Sequence, residues 1–132
     1  MSLILVDTSV WIDFFQGRPT RESEVLSALL QDDSAICICP IILQEILQGI
    51  GSEEVFNQVS DSLQQQIMLA CPPAEAAVGA AQLYRKLRKA GVTIRKSNDC
   101  LIAYHAIFYD AALLQCDRDF QLMVPHTQLK LL

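Results

Sequence analysis

The chain has 132 residues, 52% of them hydrophobic and 19% charged, which sets the expectation of one folded domain and excludes intrinsic disorder. Its 15 acidic residues outnumber its 10 basic ones, and the formal net charge of −5 excludes a protein that grips nucleic acid by bulk positive charge. It leaves open an enzyme that handles phosphate through a divalent cation, because such a site must itself be acidic.

The apolar run Leu3-Ile4-Leu5-Val6, ending at Asp7, predicts a strand buried on both faces of a parallel sheet. Thr8 and Ser9 offer N-cap hydroxyls to a short helix through Val10–Phe15, stopped near Gly17 and Pro19. A second helix is expected over Glu22–Leu30, with Val25, Leu26, Leu29 and Leu30 at helical spacing. Ala35–Cys39 reads as the second strand, Pro40 suits a helix start, and Ile41–Gln48 follows as a helix ending at Gly49 and Gly51. Glu53 to about Gln66 is a further helix with Val55, Val59 and Leu63 on one face, followed by a strand over Ile67–Ala70 closed by Pro72-Pro73. Ala74–Ala90 is the longest helix, with Ala80, Leu83 and Leu87 on one side of its second half and Arg85, Lys86, Arg88 and Lys89 on the other. Ser97 can cap a helix over Asn98–Tyr109 that is apolar almost all round and therefore expected to be central. Ala111–Gln115 is a fourth strand, and Leu129–Leu132 offers a fifth at an edge. Strand alternating with helix, with no repeat or linker, predicts one three-layer α/β/α domain over residues 1–132.

No apolar run approaches the roughly 20 residues of a membrane span, and no basic leader precedes the first strand, so a cytoplasmic protein without a membrane partner is expected. The five cysteines are an odd number, four lie in apolar runs, and the Cys37-x-Cys39 pair has no second pair at zinc-ligand spacing, which favours reduced, buried thiols. His105 is expected in the buried helix and His126 in a terminal loop. Trp11, Phe14 and Phe15 read as packing or partner-binding surface.

The acids carry more information. Ligands of open parallel sheets collect outside the carboxyl ends of the strands. Asp7 ends the first strand, Asp117 and Asp119 follow the fourth, and Asp99 falls in the first turn of the buried helix, where the helix dipole favours its charge. Glu45 interrupts the apolar helix Ile41–Gln48 and needs a partner there. Acids converging on one end of a sheet are tolerated around a hard divalent cation, which orients water for in-line attack on a phosphodiester.

At these residues the sequence resembles the PIN-domain family, and within it the VapC ribonuclease toxins of type II toxin–antitoxin pairs. Leu5-Val6-Asp7-Thr8-Ser9-Val10-Trp11-Ile12-Asp13 is similar to the family's first motif and Gln44-Glu45-Ile46-Leu47-Gln48-Gly49 to its second. Asn98-Asp99-Cys100-Leu101-Ile102-Ala103 is similar to the third, and Leu113-Leu114-Gln115-Cys116-Asp117-Arg118-Asp119-Phe120 to the last. The resemblance implies a PIN-like fold with a four- or five-stranded parallel sheet. It implies an Mg²⁺- or Mn²⁺-dependent endoribonuclease, with structured RNA such as transfer RNA as substrate. Asp7, Glu45, Asp99 and Asp117 become the catalytic and metal-holding acids, Asp7 and Asp99 the direct ligands, and Thr8, Ser9 and Asp119 auxiliary residues. The chain departs from the family at Ile42 and Gln115, where a small polar residue is usual, so polar support around Glu45 and Asp117 is expected to be weaker.

Arg85, Lys86, Arg88, Lys89, Arg95 and Lys96 place six of the ten bases within 12 positions and are candidates, with Arg118, for holding the RNA backbone; the competing reading is a solvated helix face. Arg118 is also a candidate partner for Asp117 or Asp119. The resemblance further implies a homodimer and a cognate VapB-like antitoxin whose basic or aromatic tail enters the acidic cleft, with DNA bound only indirectly through that antitoxin. A phosphatase using Asp7 as nucleophile would want an Asp where Ser9 stands. A PIN-like module that binds RNA or protein without cutting would lack one of the four acids.

Overall fold

The computed structural model describes residues 2–132. Five strands, β1 (Leu3–Val6), β2 (Ala35–Ile38), β3 (Ile67–Met68), β4 (Ala112–Leu114) and β5 (Lys130–Leu131), form one sheet in the order β3-β2-β1-β4-β5, with every neighbouring pair parallel. The helices are α1 (Thr8–Phe15), α2 (Arg21–Gln31), α3 (Pro40–Gln48), α4 (Glu53–Gln64), α5 (Pro73–Lys89), α6 (Ser97–Phe108) and α7 (Arg118–Met123), followed by a 3₁₀ turn at Val124–His126. They sandwich the sheet, giving the α/β/α architecture.

The run Leu3–Val6 becomes the central strand because it has no polar face to offer water. Leu5 and Val6 are fully buried, as are Cys37 and Ile38 on β2 and Leu113 and Leu114 on β4. The edge strands are short, and Ile67 and Met68 of β3 are exposed, so the strand expected to reach Ala70 stops at Met68. Helix α6 is central, with Cys100, Ile102, Ala103 and Ala106 buried beside a buried His105 whose Nδ1 lies 2.8 Å from the Leu101 carbonyl. Gly79 on α5 has the Tyr104 ring of α6 where a Cβ would stand, so only glycine permits these two helices to approach this closely.

Several boundaries differ from the sequence reading, each for a local reason. Helix α1 begins two residues earlier than expected, because the Asp7 carbonyl already accepts from Val10 N and Trp11 N. Asp7 is therefore the N-cap, and the Thr8 and Ser9 hydroxyls are released to other work. Helix α2 gains Arg21 because Thr20 and Ser23 form a reciprocal capping box. Helix α6 is preceded by Lys96 as its N-cap residue, with Ser97 already helical. Helix α7, not anticipated, is short and starts on an Asp117 side-chain cap.

Thiols Cys37, Cys39, Cys71 and Cys100 are free and buried; burial pushes Cys39 up to about 12 and Cys100 to about 11, so neither is nucleophilic near neutral pH. Trp11, Phe14 and Phe15 pack ring on ring, Trp11 with Phe15 stacked at 5.7 Å, and Trp11 is buried. Among the described residues no helix is long and apolar enough to cross a membrane.

Candidate active site

The chain runs outward from β1 through β2 to β3 and then returns to the other side of β1 to form β4. The direction of winding reverses there, which opens a crevice at the carboxyl ends of the central strands. A cavity of about 470 Å³ occupies that end, lined by Asp7, Thr8, Ser9, Ile12, Glu45, Arg95, Lys96, Asp99, Cys116, Asp117 and Arg118. All four acids singled out from the sequence reach it, each from a different element.

Asp7 is held by its own backbone. Its N–H donates to the Leu114 carbonyl at 2.9 Å, extending the β1–β4 ladder, while its carbonyl starts α1. Its side chain is buried and accepts a hydrogen bond from the Ser9 hydroxyl at 2.9 Å. Burial raises its pKa and the Glu45 charge adds to that, while the Ser9 and backbone donors oppose it. Glu45 sits on α3 and finds the partner its apolar surroundings require in Thr8, whose hydroxyl donates to Oε1 at 2.6 Å; Asn98 Nδ2 reaches Oε2 at a long 3.5 Å. The usual polar residue replaced by Ile42 is thus not missed: Ile42 is core, and support comes from α1 and α6.

Asp117 caps α7 through the Asp119 N–H at 2.9 Å, and its own N–H donates to Gln115 Oε1 at 2.6 Å. Gln115 therefore does supply polar support next to the last acid. Asp119 is buried behind the cavity wall rather than lining it, and its Oδ2 accepts from both the Arg95 N–H at 3.1 Å and the Arg95 Nε at 3.2 Å. The cations on these two acids are Arg95 and Lys96; among the described residues Arg118 forms no ion pair with either.

Asp99 differs from the others. It is only 5% exposed, and its buried Oδ2 has no hydrogen-bond partner among the described residues. Burial, then the charges of Asp7 and Asp117, push its pKa up to about 7. One oxygen each of Asp99, Asp117 and Asp119 lie within 4.8 Å of one another. A buried, unpaired carboxylate oxygen among further acids is costly unless a cation joins it. The donor set is all oxygen, which fits a hard ion such as Mg²⁺ or Mn²⁺ and does not favour zinc.

Arg95 and Lys96 were grouped in the sequence with the α5 bases, but the structure separates them. They stand on the cavity acids, whereas Arg85, Lys86, Arg88 and Lys89 lie exposed toward the end of α5, the last three in its final turn, where they complement the helix dipole. Asn98, Gln115 and Cys116 were not singled out as site residues. Asn98 had a signal, since it adjoins Asp99, but nothing in its spacing predicts contact with Glu45.

The chain has relatives among known proteins in both sequence and fold. The PIN-domain family model matches residues 4–123. The chain is similar to "VapC ribonuclease Mb1587" of Mycobacterium bovis and to "Ribonuclease VapC11" of Mycobacterium tuberculosis, each 33% identical over 97% of this chain and 96% of theirs. Its fold is similar to that of VapBC2 from Rickettsia felis bound to a promoter DNA fragment, with a TM-score of 0.76 at 22% identity over 98% of this chain and 97% of that one. It is also similar to VapBC-1 from nontypeable Haemophilus influenzae, with a TM-score of 0.74 at 22% identity over 98% and 96%.

Proposed function

The chain belongs to the PIN-domain family, and from that premise we propose that it is a metal-dependent endoribonuclease, the toxin of a toxin–antitoxin pair, which hydrolyses phosphodiester bonds of structured RNA. The observation that carries this reading is the convergence of Asp7, Glu45, Asp99 and Asp117 in one cavity, with a buried Asp99 oxygen left unpaired. A PIN-like module that does not cut has no use for that arrangement.

Asp7 and Asp99 are the groups that would hold Mg²⁺ or Mn²⁺ directly, with Asp117 and Glu45 completing the site. The ion supplies Lewis-acid stabilisation of the charge that develops on the phosphoryl and leaving oxygens. The protein's own part is orientation. Ser9 fixes one oxygen of Asp7, Thr8 fixes one of Glu45, and Gln115 sets the backbone from which Asp117 projects. Lys96 and Arg118 at the cavity wall, and the exposed Arg85, Lys86, Arg88 and Lys89 on α5, are the candidates to meet the flanking phosphates. Thr8→Val keeps the volume but removes the 2.6 Å bond to Glu45, so RNA cleavage is expected to fall about tenfold and Tm to drop by a few degrees, as measured by single-turnover cleavage beside thermal unfolding.

An apolar groove lined by Ile12, Phe15, Ile46, Ile50, Val55 and Val59 adjoins the cavity, sharing Ile12 and Glu45 with it. Exposed Phe15 and Val55 on its wall and acids at its end suit an antitoxin segment that is apolar and ends in a basic tail. A homodimer, and DNA contact made only through the antitoxin, complete the reading. RNA as substrate and buried free thiols both suit the cytoplasm.

The test is cleavage of labelled transfer RNA by the purified chain with Mg²⁺, with a chelator, and after Mg²⁺ is restored. Cleavage should vanish with the chelator, return with the metal, and be lost in Asp7→Asn. Cleavage indifferent to both the chelator and that substitution overturns the metal mechanism.

A further inference from the structure

We propose that Arg95 is a counter-cation this chain supplies to its own acidic cavity, and that a divalent metal binds there by displacing the Arg95 guanidinium from Asp117. The inference rests on the reading that the cavity takes a metal, and it adds what the metal-free protein does with the same charges.

The segment between α5 and α6 is anchored at several points. Gly91 turns the chain with φ +85°, and the buried Ile94 pins the segment to the core one residue before Arg95. The Arg95 backbone N–H and Nε both donate to one oxygen of Asp119. Asp119 is buried, so it holds the backbone and stem of Arg95 at a fixed place. From there the guanidinium Nη2 reaches Asp117 Oδ1 at 3.3 Å, while Lys96 Nζ lies 3.6 Å from Asp117 Oδ2. Both oxygens of Asp117 thus face a cation from one short segment.

The contact with Asp117 engages an acid that a metal would need. Asp99, Asp117 and Asp119 are the three acids whose oxygens come within 4.8 Å of one another, and Arg95 engages two of the three. The Arg95 side chain is 68% exposed, so its tip can turn toward solvent while the Asp119 bond keeps its backbone in place. An exposed ion pair of this kind is weak and screened, which makes it a displaceable occupant rather than a permanent one. Asp119 then acts as a positioning residue for Arg95 and need not bind the ion.

The sign of the effect on metal affinity separates this from a structural role. If Arg95 only braced the acids, removing it would loosen metal binding; as a competitor, its removal tightens binding. The experiment is Mn²⁺ binding to the full chain, followed by the electron paramagnetic resonance of free Mn²⁺, for wild type, Arg95→Ala and Arg95→Gln. Both variants keep the backbone bond to Asp119, and the glutamine keeps the stem and a neutral donor. Each should bind Mn²⁺ about threefold to fivefold more tightly than wild type. Binding by wild type with equal or weaker binding by both variants overturns the inference while leaving the metal reading intact. No binding by any of the three overturns the metal reading, and this inference with it.

Discussion

Asp99→Asn is expected to lower RNA cleavage by about 100-fold to 1000-fold while making the metal-free protein more stable. The two effects share one cause. Asp99 is buried with an unpaired oxygen, and burial together with Asp7 and Asp117 raises its pKa from 3.8 to about 7. A shift of that size corresponds to a few kcal/mol of disfavoured charge at roughly 1.4 kcal/mol per pKa unit. An amide of nearly the same shape removes the like-charge repulsion, but it keeps part of the burial cost because it too is polar. The net gain should be about 1–2 kcal/mol at neutral to alkaline pH, visible as a rise of several degrees in Tm in the presence of a chelator. Thermal unfolding and single-turnover cleavage on the same preparations check both halves. A variant that is inactive and also less stable by more than about 1 kcal/mol would mean that the Asp99 charge is already well accommodated in the fold.

The second large effect concerns pH and metal together. Asp99 and Asp7 both have raised pKa values in the folded chain, so the folded state binds more protons than the unfolded one across the interval between the two values. Each contributes stability that is fully present below the ordinary carboxylate range and is lost as pH rises through its folded-state pKa, which for Asp99 is about 7. Metal-free protein should therefore lose about 1 kcal/mol between about pH 6 and pH 8 from Asp99. A bound divalent cation needs these carboxylates ionised, so it releases the same protons, and its stabilisation should be larger at the higher pH. Mn²⁺ at about 100 times its dissociation constant adds roughly 2.7 kcal/mol, enough to reverse the trend. Tm measured over this pH range, with chelator and with Mn²⁺, should give lines of different slope. Parallel lines would show that metal binding does not draw on these carboxylates.

The α5 bases and the Arg95 segment carry positive charge to two different places. At least four of the 15 acids face one cavity, and two of the ten bases stand on its acids, so the net charge of −5 is unevenly spread. The exposed end of α5 is basic, while the cavity is lined by acids.

Much of this arrangement was determined by the sequence alone. Leu3–Val6 and Ala35–Ile38 can be buried only as central parallel strands, because neither has a polar face, and the acids that follow such strands arrive at the ligand end of the sheet. Asp7 and Glu45 stood out because each breaks an apolar run, where an unpartnered charge is costly. Tertiary structure alone decided who the partners are. The bond from Thr8 to Glu45 spans 37 residues, and the contacts of Arg95 with Asp117 and Asp119 span 22 and 24, distances over which no periodicity relates one side chain to another. It also decided that Ile42 belongs to the core, that Gln115 serves Asp117, and that Arg95 and Lys96 leave the basic stripe for the acids. Burial pattern is a property of each segment and can be read along the chain. Pairing is a property of two segments, settled only when the switch in strand order brings their ends together.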